Sequence, residues 1–155
     1  TNQFAIKYVA HDDVTNRLYG LDDGLRVTPL DNQPELPNGP TLLGLGKLTL
    51  YETPRDFRLA TVIGELDRLK NQSTDWFDLV SVIDFTSDES LTVSFGRWNF
   101  VAFVRPDRFA ESISALCRLA GGGELPIERI SEVDLRYDGL IVITGSSGEE
   151  LRITS

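Results

Sequence analysis

Residues 131–145, SEVDLRYDGLIVITG, read as strand, tight turn, strand. Val133, Leu135 and Tyr137 alternate with Asp134, Arg136 and Asp138, the period-2 pattern of a half-buried strand. Asp138-Gly139 supplies the turn, because glycine accepts the positive φ a tight hairpin needs. The second arm, Leu140-Ile141-Val142-Ile143, is apolar on both faces. Such a strand needs cover on two sides, from its own domain or from a partner.

Beyond this hairpin, residues 149–154 alternate through Leu151 and Ile153 and add one more short strand. Before it, residues 107–120 read as a helix. Pro106 marks its start, Phe109, Ile113, Leu116 and Ala120 form its apolar stripe, and Gly121-Gly122-Gly123 ends it. Residues 76–104 are β-rich, with strands at 77–85, 91–95 and 100–104 and a hairpin loop at Ser87-Asp88-Glu89-Ser90. A first helix spans 53–69. Thr53 serves as N-cap, Pro54 suits the first helical position, and Asp56 completes an approximate capping box. Leu59, Val62, Ile63, Leu66 and Leu69 share one face of it. At the front, residues 4–9 alternate as a strand, 17–28 form a hairpin around Asp22-Asp23-Gly24, and 29–40 form a Pro-, Asn- and Gly-rich loop. Two helices among eight or nine strands, mostly joined by short turns, predict an α+β domain with helices packed on a mostly antiparallel sheet.

At 155 residues the chain is one domain, or one domain plus a fragment of another. It is long enough to bury a core without a metal or a disulfide. A net charge of −9 disfavours nonspecific binding to nucleic acid or to an anionic membrane surface. No apolar run has the length of a membrane span, and no signal-peptide pattern opens the chain. The first residue is Thr1 rather than methionine, so the expectation is an excised part of a longer protein, with any anchor upstream.

Catalytic readings find little to hold. His11 is the only histidine and lies in the polar run His11-Asp12-Asp13, where a solvated loop competes with a metal ligand or general base. Cys117 is the only cysteine, so it forms no intrachain disulfide or cysteine cluster. Its neighbours Ala115, Leu116 and Leu119 suit a packed helix residue better than a nucleophile. A carboxylate pair such as Asp84 with Asp134 would allow acid–base work only if the fold set the two face to face. Gly121-Gly122-Gly123 ends a helix, whereas phosphate cradles precede one. The expectation is therefore no catalytic residue, no cofactor and no metal.

The run VDLRYD, followed by Gly139 and a short apolar strand, resembles the C-terminal signature of the bacterial cell-division family FtsQ (DivIB in Gram-positive bacteria). Leu36-Pro37 and Leu42-Leu43-Gly44, after a strand carrying Asp-Gly, resemble a second pattern of that family, and the order apolar strand, Gly96-Arg97, short spacer, helix again resembles its β domain. The resemblance implies an FtsQ/DivIB β domain on the extracytoplasmic face of the inner membrane, with residues 1–10 closing a POTRA domain upstream and a single-pass anchor in the full-length protein. It also implies a scaffold role in septation, recruiting FtsB- and FtsL-like partners without chemistry. The matching residues are Arg136, Tyr137, Asp138, Gly139, Leu140, Ile141, Val142, Ile143 and Thr144. On pattern alone Tyr137 is a core-facing strand residue. The implied mechanism is β-augmentation, in which a partner segment adds to an unpaired strand edge around 140–144. Proline at an outward N–H there would test it. Should 149–154 pair with that strand, the edge passes to the last strand, and the proline to Leu151 or Ile153. The alternatives are an unrelated β-rich binding or structural domain of an envelope or phage assembly, and a carboxylate-based hydrolase.

Overall fold

The computed structural model describes residues 5–30 and 35–154. Its strands are β1 (Tyr8–His11), β2 (Leu18–Leu21), β3 (Val27–Thr28), β4 (Thr41–Leu43), β5 (Val80–Asp84), β6 (Leu91–Phe95), β7 (Val101–Val104), β8 (Ile130–Tyr137), β9 (Leu140–Gly145) and β10 (Glu150–Thr154). The helices are α1 (Leu59–Gln72), α2 (Thr74–Leu79) and α3 (Phe109–Gly121). Among the described residues the ten strands make one sheet, in the order β10-β9-β8-β7-β6-β5-β4-β1-β2-β3.

The sheet is mixed. β1–β4, β4–β5 and β7–β8 pair in parallel, and the other six neighbouring pairs are antiparallel. Parallel neighbours need crossover connections. α1 with α2 carries the chain from β4 to β5, and α3 carries it from β7 to β8. The helices cover one face. Leu59, Val62, Ile63, Leu66 and Leu69 of α1 and Phe109, Ile113 and Leu116 of α3 meet Ile83, Val93, Ala102, Val133 and Ile143 in a single apolar core. Glu65 of α1, itself buried, accepts a hydrogen bond from the Ala110 N–H at 3.1 Å. One helix thus satisfies a free donor in the first turn of the other.

Several expected boundaries move. The first helix begins at Leu59 rather than Thr53. Pro54 biases Thr53 away from helical backbone. The Asp56 carboxylate binds the N–H and guanidinium of Arg58 instead of capping a turn from Thr53. The strand expected over 77–85 is split. Ser73 Oγ accepts the Trp76 N–H at 3.2 Å and starts α2, so strand begins only at Val80. Aromatic residues favour strands, but a side-chain cap and the burial of Phe77 override that preference here. The strand expected over 4–9 is observed as Tyr8–His11, and Phe4 lies outside the described residues. It sits inside the sheet between β4 and β2.

Gly44, part of the Leu-Leu-Gly pattern, is required by the packing. Its φ is +76°, and an added Cβ would lie 2.4 Å from the Thr86 backbone nitrogen. At this point the backbone leaving β4 lies close against Asp84 and Thr86 at the end of β5.

From α2 onward the fold repeats one unit, a helix followed by a three-strand meander. α2-β5-β6-β7 is followed by α3-β8-β9-β10. The outer side of β7 receives β8. The outer side of β10 receives no strand among the described residues.

Candidate partner-binding site

Among the described residues nothing covers the sheet face opposite the helices along β7 to β10. Phe103, Glu132, Asp134, Arg136, Tyr137, Leu140, Val142, Thr144, Glu150 and Arg152 line a shallow open depression there. Asp134 and Arg136 lie two apart on β8 and form a two-point ion pair, with Nε–Oδ1 at 2.9 Å and Nη2–Oδ2 at 2.6 Å. This carboxylate, against some burial, holds the Arg136 guanidinium above its usual pKa. The guanidinium also sits 5.6 Å from the Phe103 ring centroid, a cation–π distance. Arg136 is thus already engaged within the chain.

The residues matched to the family divide by surface. Ile141 and Ile143 are buried in the core beneath α3. Leu140, Val142 and Thr144 are half-buried on the open face. Asp138 is exposed in the turn and forms an ion pair with Arg108, which also pairs with Glu111 at 3.0 Å. Gly139 takes the positive φ of the turn, at 68°. Tyr137 does not face the core. The β8–β9 register slips between Asp134 and Tyr137, the alternation that buries Val133 and Leu135 breaks there, and Tyr137 is 52% exposed. Tyr137→Ala is therefore expected to lower stability by less than about 1 kcal/mol. A thermal melt showing the ~3–5 kcal/mol loss of a core aromatic would contradict this placement.

β9 is not an open edge. It pairs with β8 on one side and, over its whole length, with β10 on the other. It offers no outward N–H to a partner, and the edge lies at β10. The 145–149 hairpin fixes which groups of β10 are free. Gly145 N–H donates to Glu149 O at 2.7 Å, Gly148 N–H donates to Gly145 O, and Gly148 has φ +89°. This is a three-residue loop of the type that closes with a bulge. Hydrogen-bonded and non-hydrogen-bonded pairs alternate along an antiparallel ladder. From the 145–149 pair, Leu151 and Ile153 turn their backbone groups toward Ile143 and Ile141. Glu150, Arg152 and Thr154 turn theirs outward. Proline at Leu151 or Ile153 would break the internal ladder, so the informative position is Arg152.

The opposite edge is closed by the chain itself. Beyond β3, Val27 N–H donates to Glu52 O at 2.9 Å and Tyr51 N–H donates to Val27 O at 2.7 Å. Within the depression, Phe103 and Glu132 carry no functional reading from the sequence, and β10 enters there only as the alternative edge. The alternation of 149–154 was visible, but side-chain pattern does not say which strand is last.

The other chemical candidates stay apart. Asp84 and Asp134 lie in one cross-strand row, Asp84–Thr92–Phe103–Asp134. That is three strand spacings, roughly 14 Å, beyond the range of about 5–9.5 Å in which paired carboxylates share a bond. Asp84 instead accepts from the Thr86 N–H and hydroxyl at 2.9 and 2.6 Å. His11 ends β1, with Nε2 2.6 Å from Asn16 Oδ1. Cys117 is buried, and burial pushes its thiol up to about 11, the opposite of an activated nucleophile. Among the described residues no group of three or more His, Cys, Asp or Glu side chains is placed to hold a metal ion, and no helix is long and apolar enough to cross a membrane.

The chain matches no protein-family model and no curated protein. What the fold and site define is an α+β domain whose mixed sheet, among the described residues, has one self-closed edge and one open edge.

Proposed function

We propose that the chain is a non-catalytic protein-binding domain of the FtsQ/DivIB kind, which takes up an extended segment of an FtsB- or FtsL-like partner as an additional strand beside β10. Its place would be a division complex on the extracytoplasmic side of the bacterial inner membrane. The observation that carries this reading is the asymmetry of the sheet. Tyr51 and Glu52 cover one edge, while β10 presents the N–H and C=O groups of Glu150, Arg152 and Thr154. Natural sheets normally guard such an edge with a bulge, a proline or a covering loop. Among the described residues β10 has an unbroken register with β9 and no bulge, proline or covering loop, its protection being the charges of Glu150 and Arg152. The repeated helix–meander unit supports the same reading. Its first copy hands β7 to a neighbour, and its second leaves β10 waiting for one. The VDLRYD motif connects this β-augmentation mode to the division family.

Arg152→Pro tests the proposal. It removes an outward donor while sparing the bonds to β9. Binding of FtsB- and FtsL-like extracytoplasmic segments, measured by pull-down and calorimetry, should fall at least about tenfold, a loss of about 1.4 kcal/mol. The melting temperature should stay within about 2 °C. Ile153→Pro is the contrast, since its N–H serves the internal ladder and the melt itself should drop. If Arg152→Pro folds and binds with unchanged affinity, strand addition at β10 is wrong.

A further inference from the structure

We propose that in the absence of another partner a second copy of the chain covers this edge, the two β10 strands pairing antiparallel with Leu151 on a two-fold axis. The argument uses only the strand and does not depend on the identity of any division partner. A two-fold pairing must set outward-facing backbone groups against each other, so Glu150, Arg152 and Thr154 can oppose only even-numbered residues of the other copy. That leaves few registers. An axis at Glu150 sets glutamate against glutamate. An axis at Arg152 sets arginine against arginine. An axis at Ile153 leaves Glu150 beyond the end of the partner's described strand. Only an axis at Leu151 places Glu150 opposite Arg152 and Arg152 opposite Glu150, two cross-strand ion pairs made by one symmetry operation.

The side chains suit that register. Glu150 and Arg152 pair within the strand only loosely, at 3.6 Å, with both side chains at least half exposed. Leu151 is 48% exposed on the other face. On the axis the two Leu151 residues form a non-hydrogen-bonded pair, the position where facing side chains come closest. The net charge of −9 per copy opposes association, but at physiological ionic strength charges beyond about 8 Å are screened while directly opposed groups are not. A second copy and a partner segment would compete for the same groups.

Cross-linking and charge exchange test the register in the intact chain. Leu151→Cys should give a disulfide-linked dimer under mild oxidation, because a non-hydrogen-bonded pair brings Cα atoms to about 4.5 Å, within disulfide reach. Ile153→Cys should not, since its opposite is Glu149. Buried Cys117 stays in both variants as the internal control. In sedimentation, wild type should dimerise with concentration. Glu150→Arg or Arg152→Glu alone should raise the dissociation constant about tenfold, since each reversal alters two symmetric pairs. The double exchange Glu150→Arg/Arg152→Glu should restore it. A wild type that stays monomeric to about 1 mM, a Leu151→Cys variant that does not cross-link, or a double exchange that fails to restore dimerisation would each overturn the proposal. The partner-binding reading would survive any of these, since its own test is Arg152→Pro.

Discussion

Arg58→Met is expected to destabilise the chain by about 3–5 kcal/mol, the usual consequence of removing one member of a buried ion pair. Arg58 is 7% exposed. Its guanidinium donates to Asp56 through Nε at 3.0 Å and Nη2 at 2.7 Å, to Phe85 O at 2.6 Å and to Ser87 O at 2.6 Å, and it lies 5.5 Å from the Phe85 ring centroid. One side chain thereby ties the start of α1 to the end of β5 and the loop beyond it. Methionine fills similar space but takes these donors from two carbonyls and leaves the half-buried carboxylate with only the backbone N–H of position 58. Burial alone would raise the pKa of Asp56, but the Arg58 guanidinium and N–H outweigh it and hold the carboxyl below its usual range. With the guanidinium gone, Asp56 keeps only the backbone N–H of that support. The melting temperature should fall by on the order of 10 °C. Arg58→Lys should recover only part of this, because an ammonium cannot reproduce the planar fork. A methionine variant within about 1 kcal/mol of wild type would show that the network contributes little.

Neither the late start of α1 nor this anchor was legible in the sequence, and both have one cause. In the sequence Asp56 reads as a cap, because a carboxylate three residues after a threonine suits that role. An arginine two residues further on, reaching across to β5, claimed it instead, and sequence spacing carries no record of such a long-range bond. Where the pattern depends on faces, spacing and structure agree except at Tyr137, beyond the register slip of β8. Leu59, Val62, Ile63, Leu66 and Leu69 point into the core as their spacing requires, and so do Val133, Leu135, Ile141 and Ile143. The reading of 140–143 shows the limit. An apolar run on both faces reports that side chains on both faces are sheltered. It says nothing of the strand's edges, which are backbone groups common to every residue. Leu140 and Val142 line the open depression while Ile141 and Ile143 fill the core, and both edges of β9 are paired within the chain. The open edge can be placed only once the order of strands is known.

Asp12→Ala is expected to be comparably damaging, at about 3 kcal/mol or more, and to remove part of the acid sensitivity of the fold. Asp12 is 1% exposed and accepts three backbone N–H groups: Val14 at 2.8 Å and Thr15 at 3.0 Å on Oδ1, and Leu48 at 3.0 Å on Oδ2. The first two shape the β1–β2 loop, and the third fastens it to the segment after β4. Alanine leaves three donors short of a partner, each costing about 1–3 kcal/mol where it stays buried. Asp12→Asn keeps one carbonyl oxygen but turns an NH2 toward the Leu48 N–H, so it should also destabilise, by a smaller amount. Burial by itself would raise the pKa of Asp12, but the N–H groups of Thr15, Leu48 and Val14 and the Thr15 hydroxyl outweigh it and hold the carboxyl below 3.8. The folded state then binds this proton less readily than the unfolded one. Its contribution is present in full above the unfolded pKa of about 3.9 and is lost as pH falls through the lower folded value. Asp56 acts in the same direction. His11 acts oppositely and in another window. The Asn16 side chain first, then Asp13, hold it above 6.5 against some desolvation, so its contribution is present below 6.5 and fades as pH rises through the folded value. Denaturant unfolding of wild type from pH 7 to pH 2 should therefore show stability falling below about pH 4. In Asp12→Asn the slope there should be shallower by up to about 1.4 kcal/mol per pH unit, with the Asp56 part retained. An unchanged slope in the asparagine variant would mean that the Asp12 carboxylate does not titrate below its unfolded value.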